Sequence, residues 1–222
     1  MSSVSEKERA FLAIREAIFA GAKAFLSAFK RDWAGEEMFG FLLVAVWEGY
    51  CVEAVAGTEE GLLRGVHEYA ERKGKRDDDE YIQAEYIKSR WDGYEDGWYE
   101  NLDDAFFGQA NQLISEAHDS GLMEMGDQQL QQICIEAFKA LDSDHVFGVG
   151  EAREKITIGV SDVGGDHAQE DFLSWAEPVN PPVVMERLRH DLQKANELFQ
   201  AESALRRKAR EANNPDRPDS QD

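Results

Sequence analysis

Two short clusters hold the side chains that metal-assisted hydrolysis would need: Asp162, Asp166 and His167, and Asp142, Asp144 and His145. Carboxylate oxygens with an imidazole nitrogen are donors that zinc or a dinuclear hydrolytic centre accepts. The first cluster follows an alternating apolar run, and a strand-end loop is a common place for catalytic groups. Neither cluster is completed by a second His four residues on, an HExxH or a CxxC. Asp142, Asp144 and His145 read instead as the close of a helix, where Asp supplies turn hydrogen bonds.

His67, His118 and His190 stand singly on helical stretches, no Ser occupies a GxSxG elbow, and Gly148-Val149-Gly150 and Gly164-Gly165 lack the context that cradles phosphate. Carboxylates are so abundant that a glycosidase-like pair is no signal. The sequence therefore predicts a chain that is not an enzyme and uses no cofactor. The alternatives are a metal-dependent or carboxylate hydrolase built on the Asp162–His167 loop, or a housekeeping protein.

A stronger pattern runs from Asp77 to Asp104, DDDEYIQAEYIKSRWDGYEDGWYENLDD, where eleven acidic side chains face only Lys88 and Arg90, a local net charge of −9. Large aromatics are threaded through the same stretch. A surface that is anionic and aromatic suits a basic protein partner and repels nucleic acid or an anionic membrane. The candidate contact residues are Asp77, Asp78, Asp79, Glu80, Trp91, Asp92, Tyr94, Glu95, Asp96, Trp98 and Tyr99. The opposing reading makes the aromatics core and the acids a solvated face.

The whole chain points the same way, with 24 Lys and Arg against 45 Asp and Glu in 222 residues, a net charge of −21. Phosphate neutralisation needs basic clusters, so nucleic-acid binding is not expected. Charged residues interrupt the first apolar run, which argues against a secretory signal, and the longest apolar run, Phe39 to Trp47, is too short to span a bilayer. Cys51 and Cys134 sit unpaired in apolar patterns and read as reduced thiols of a cytoplasmic protein.

The elements that would carry these residues are legible in the periodicity. Phe11, Ile14, Ile18, Ala22, Phe25 and Phe29 mark an amphipathic helix from Ser5 to Lys30, with Ser5 and Glu8 forming a capping box and Trp33-Ala34-Gly35 ending it. Phe39–Trp47 and Tyr50–Ala56, separated by Glu48-Gly49, form a hairpin signal whose first strand is apolar on both faces. Thr58 caps a helix running through Lys73, with Leu62, Leu63, Val66 and Tyr69 on its inner face. Asp77–Glu80 reads as an exposed turn and Tyr86–Arg90 as a short strand. Helical period returns over 101–120 and 128–141, a strand follows at Lys155–Val160, then a short helix bearing Phe172 and Trp175. Asn180-Pro181-Pro182 opens the last helix. The sum is an α+β fold with a mainly antiparallel sheet of four or slightly more strands and helices around it. One domain covers residues 1–197; residues 198–222 form a charged tail that frays from helix to disorder.

The order of parts carries a resemblance. The N-terminal helix, FGFLLVAVWEGYCVEAVAGTEEGL, RWDGYEDGWYENLDDAF, ITIGVSDV and WAEPVNPPVVMERL together resemble the bacterial domain-of-unknown-function family numbered four-three-zero-three, over roughly residues 6–195. The resemblance implies an α+β domain with no catalytic set to transfer, a Trp near Trp91 and an acidic-aromatic step like Glu95 to Trp98; Asp92-Gly93 stands where a proline-containing turn is expected. It also implies an immunity-protein-like role beside a secreted toxin. The expected function is thus an acidic binding protein that neutralises a bacterial toxin, possibly a nuclease.

Overall fold

The computed structural model describes residues 5–46, 50–91, 98–100, 105–124, 128–163 and 169–213. The first helix, α1 (Glu6–Asp32), begins as its residues dictate: Ser5 Oγ accepts from the Glu8 N–H at 3.2 Å while Glu8 Oε2 accepts from the Ser5 N–H at 2.7 Å. Trp33 caps its C-terminus, and Ile14, Ile18, Phe25 and Leu26 are buried along one stripe.

Strands β1 (Met38–Val46) and β2 (Cys51–Thr58) pair antiparallel, from Gly40 opposite Gly57 to Val46 opposite Cys51. The hairpin is as expected; its turn, 47–49, lies outside the described residues. Between Met38 and Gly40 the register slips by one residue, so Phe39 is an unpaired bulge. The slip inverts the side-chain alternation. Phe41, Leu43 and Ala45 join one core, whereas Phe39 packs with Leu42 and Val44 on the opposite face. A Cβ on Gly57 would come within 2.6 Å of the Phe39 ring, and one on Gly40 within 2.9 Å of Trp98, so both glycines make room for aromatic rings.

Helices α2 (Glu59–Arg72), α3 (Asp79–Ser89), α4 (Gly108–Asp119), α5 (Gln129–Ser143), α6 (Glu151–Glu154), α7 (Gln169–Ala176) and α8 (Pro182–Asn213) complete the set with strands β3 (Trp98–Glu100) and β4 (Thr157–Val163). Among the described residues the strands form one sheet in the order β3-β2-β1-β4. Helices α1, α4 and α5 cover one face; α2 and α3 cover the other, with α7 and α8 flanking it. No helix among the described residues is long and apolar enough to cross a membrane.

Two expectations about the sheet need correction. It is mixed and not mainly antiparallel, because β4 runs parallel to β1 from Gly40 beside Thr157 to Val46 beside Val163. An alternating apolar run looks the same in either direction; only the long connection through α2 to α6, which returns the chain to the end of the sheet where β1 starts, makes the pair parallel. The expected strand at Tyr86–Arg90 is instead the end of α3 and its cap, and the third strand comes later, at Trp98. Residues 79–89 lack a strong apolar stripe, since Ile82 is their one buried side chain.

The outer edge of β4 is closed by a side chain. Asn180 Oδ1 accepts from the Ile158 N–H at 3.0 Å, and its Nδ2 donates to the Ile158 carbonyl, as a neighbouring strand would. The buried Arg153 guanidinium anchors the same corner, donating to Asp142, to the Ile156 carbonyl at 2.6 Å and to the Val179 carbonyl at 2.7 Å. Beyond it α8 runs unbroken to Asn213, past the position where the charged tail was expected to begin.

Candidate functional site

The acidic half of the candidate surface opens α3. Asp78 is its N-cap, accepting from the Tyr81 N–H at 3.0 Å and pairing with Lys75 at 3.1 Å. The hydrogen bond from Tyr81 first, and that from Lys75 next, hold its carboxyl below the ordinary carboxylate range. Asp79 and Glu80 follow in the first turn, where the helix dipole favours negative charge. Asp77, Asp79 and Glu80 are exposed, and no described cation lies within 4.0 Å of them.

Asp79 shares a stripe of α3 with Ile82, Gln83 and Tyr86. The last three, with Glu59, Glu60 and Leu63 of α2, line a shallow groove of about 340 Å³. Leu63 was expected on the inner face of α2, yet it is 45% exposed. The inward positions belong to Leu62, Val66 and Ala70. This face combines an apolar floor with the exposed carboxylates of Asp77, Asp79 and Glu80, which have no described cation beside them.

The aromatic half divides differently. Trp98 is buried, standing edge-on to Phe39 at 5.3 Å between ring centres. Trp91 is half-buried, meets Phe39 at 90° and 5.5 Å, and donates its indole N–H to Asp191 at 3.3 Å. Tyr99 is half-buried and stacks on Trp33 with ring centres 4.0 Å apart. Of these three candidate contact rings, Trp98 is enclosed and Trp91 partly so, because the Phe39 bulge and the two glycines create space that large rings fill, while Tyr99 packs on the opposite face against Phe29 and Trp33. Asp92, Tyr94, Glu95 and Asp96 lie outside the described residues, as do Asp166 and His167; of Asp162 only its place in β4 is described.

The residues that sequence reasoning missed form two connected networks at the sheet end where β1 and β4 begin. In one, Glu36 accepts from Thr58 Oγ1 at 2.6 Å and from Tyr99 OH at 3.0 Å, and pairs with Arg64 at 2.9 Å; Arg64 also donates to the Tyr99 hydroxyl. Burial raises the Glu36 pKa, but the bonds from Arg64, Thr58 and Tyr99 outweigh it and keep the carboxyl below its usual range. In the other, the Arg90 guanidinium grips Glu59 through two bonds of 2.6 and 2.8 Å, reaches Asp191 at 3.4 Å and lies 4.2 Å above the Phe39 ring. Tyr86 donates its hydroxyl proton to Glu59. For Glu59 too burial is opposed and overcome, chiefly by Arg90, so its pKa falls. Burial, with the Glu59 carboxylate next, pushes the Tyr86 phenol up to about 12. Nothing in the local pattern pairs Glu36 with Arg64 or Glu59 with Arg90; the one sequence signal was Thr58, recognised as a cap, which both caps α2 and donates to Glu36.

The second His/Asp cluster is accounted for by packing. Asp142 holds Arg153, Asp144 pairs with Lys23 at 3.1 Å, and His145 takes the left-handed φ of 56° that closes α5. The His145 N–H donates to the Asp142 carbonyl and the Val146 N–H to the Leu141 carbonyl, the pattern of a Schellman cap. Among the described residues no three His, Cys, Asp or Glu side chains are grouped to hold a metal ion. Cys51 and Cys134 are unbridged, and burial pushes the Cys134 thiol up to about 12.

Residues 14–181 match the model of a domain of unknown function, DUF4303, which is well over half of the chain. The chain belongs to the DUF4303 family. The match runs from the buried stripe of α1 to the Asn180 corner, so the Glu36 network, the Glu59–Arg90 pair and the α2–α3 face lie within the DUF4303 domain, while α8, with Asp191, lies beyond it. No curated protein and no solved structure matches.

Proposed function

We propose that this protein acts by binding and not by catalysis: an acidic protein that captures a basic protein surface on the outer face of α2 and α3. In its specific form the proposal is an immunity protein that neutralises a toxin by covering a cationic groove. A nuclease fits best, since such an enzyme must present Lys and Arg to phosphates. The carrying observation is the set of exposed carboxylates Asp77, Asp79 and Glu80, unpaired among the described residues, beside the groove floored by Leu63, Ile82 and Tyr86. Opposed charges speed encounter and exclude wrong partners, while an apolar anchor slows release. Trp98, buried on β3 against Phe39, is not part of that anchor; Leu63 takes its place.

The test is co-purification and calorimetry with the effector domain encoded beside the gene. Binding should weaken steeply with salt, and Asp79→Lys with Glu80→Lys should slow association at least about tenfold. Leu63→Glu should lose binding while the fold is kept. Absence of any adjacent effector gene would remove the toxin-neutralising form. Binding that all three substitutions leave intact would remove the face itself.

A further inference from the structure

A cleft of about 750 Å³ opens at the other end of this architecture, where β1 and β4 begin. Its size is that of a metabolite pocket. Four carboxylates line it, and three are engaged: Glu59 with Arg90, Glu36 with Arg64 from outside the cleft, and Glu37 with Lys155 at 3.9 Å. Glu151 is exposed at the rim.

The cations are less evenly matched. Two carboxylates, Glu59 and Asp191, converge on Arg90, and Asp142 serves Arg153. Arg187, lining the same cleft, is held by neutral oxygen alone: the Glu154 carbonyl at 2.8 Å, the Lys155 carbonyl at 3.1 Å and Thr157 Oγ1 at 3.4 Å. No described carboxylate lies within 4.0 Å of its guanidinium. Those three bonds leave Nε–H and one Nη1–H without a described acceptor. Burial first, and repulsion from Arg90 next, depress its pKa, a strain that an added anion relieves. Lys30, also in the lining, donates to the Val146 carbonyl at 3.1 Å and likewise has no described carboxylate beside it. Trp33, 40% exposed, contributes an aromatic wall, and Met38 and Ile156 an apolar one.

We propose that this cleft binds a metabolite-sized ligand with an oxyanion head, a phosphate ester or a carboxylate, anchored on Arg187 and flanked by Lys30 and Lys155, with an apolar body against Trp33. A guanidinium is suited to either head because its fixed N–H directions match two oxygens at once. The site shares Glu59 with the α2–α3 groove but uses none of Leu63, Asp79 and Glu80, so its outcome does not bear on the proposed protein partner.

The full chain, isotope-labelled, would be titrated with inorganic phosphate, phenyl phosphate and benzoate, following the Trp33 indole and Arg187 Nε–H signals alongside calorimetry. Saturable shifts at both signals are expected, with phenyl phosphate tighter than inorganic phosphate. Phenyl phosphate binding above benzoate identifies a phosphate ester as the head; the reverse identifies a carboxylate. Arg187→Gln should weaken binding at least about tenfold. Since Arg187 also ties down the start of β4, the exposed Lys155→Glu provides a second reading, with about threefold weakening, the scale of a surface charge pair. No saturable shift with any of the three probes, or equal affinity in both variants, overturns the proposal.

Discussion

Glu59 and Glu60 are adjacent in the chain and both reach the α2–α3 groove, yet they are held differently. Glu59 turns toward the sheet end, where Arg90 holds it through two hydrogen bonds and Tyr86 through a third. Glu60 is exposed and lines the groove with Leu63. Around Glu59 charge is a packing element, desolvated and satisfied; around Asp79 and Glu80 charge is a field projected into solvent. A net charge of −21 counts both kinds alike, and only the second kind is available to a partner.

The sharpest break of this contrast is Phe39→Ala, which empties the space between Trp91, Trp98 and Arg90 and should cost about 3–5 kcal/mol in urea unfolding. Arg90→Ala should follow at about 2–3 kcal/mol, below the full cost of breaking a buried pair because the Glu59 side chain is 40% exposed. Acid gives an independent view. The Glu36 and Glu59 carboxyls titrate below their ordinary value of 4.5 in the folded protein, so they contribute stability that is complete above about 4.5 and is lost as pH falls through their lower folded values. Unfolding followed from pH 6 downward should show this loss, and Glu36→Gln with Glu59→Gln should flatten it. On the outer face, Asp78→Ala should destabilise less than Arg90→Ala, through the lost helix cap. Asp79→Lys with Glu80→Lys should change stability least, by about 0.5 kcal/mol, through the helix dipole alone. A loss from that pair equal to the loss from Arg90→Ala would abolish the distinction between the two regions.

Much of this was legible beforehand, for identifiable reasons. The capping box at Ser5 and Glu8, the Thr58 cap, the hairpin of β1 and β2 and the apolar run of β4 depend on neighbours within a few residues or on simple periodicity, and all are present. The exposed start of α3 was legible as a surface but not as a helix, since 79–89 bury one side chain and so lack a helical stripe. Whether Trp91 and Trp98 pack inward or face a partner was not legible, because an aromatic beside acids looks the same in a sequence whether or not a distant bulge at Phe39 has made room for it.

By itself the sequence determined the helices that announce their own caps, the pairing of the first two strands, the overall charge and its concentration near α3. Each follows from local hydrogen bonding, side-chain period or simple summation. The tertiary structure alone decided the direction of β4, the inversion of Phe39 to the far face, and which carboxylates meet a guanidinium. Those outcomes depend on pairs such as Glu36 with Arg64, Glu59 with Arg90 and Asp142 with Arg153, whose partners are set by the packing of whole layers and not by spacing along the chain.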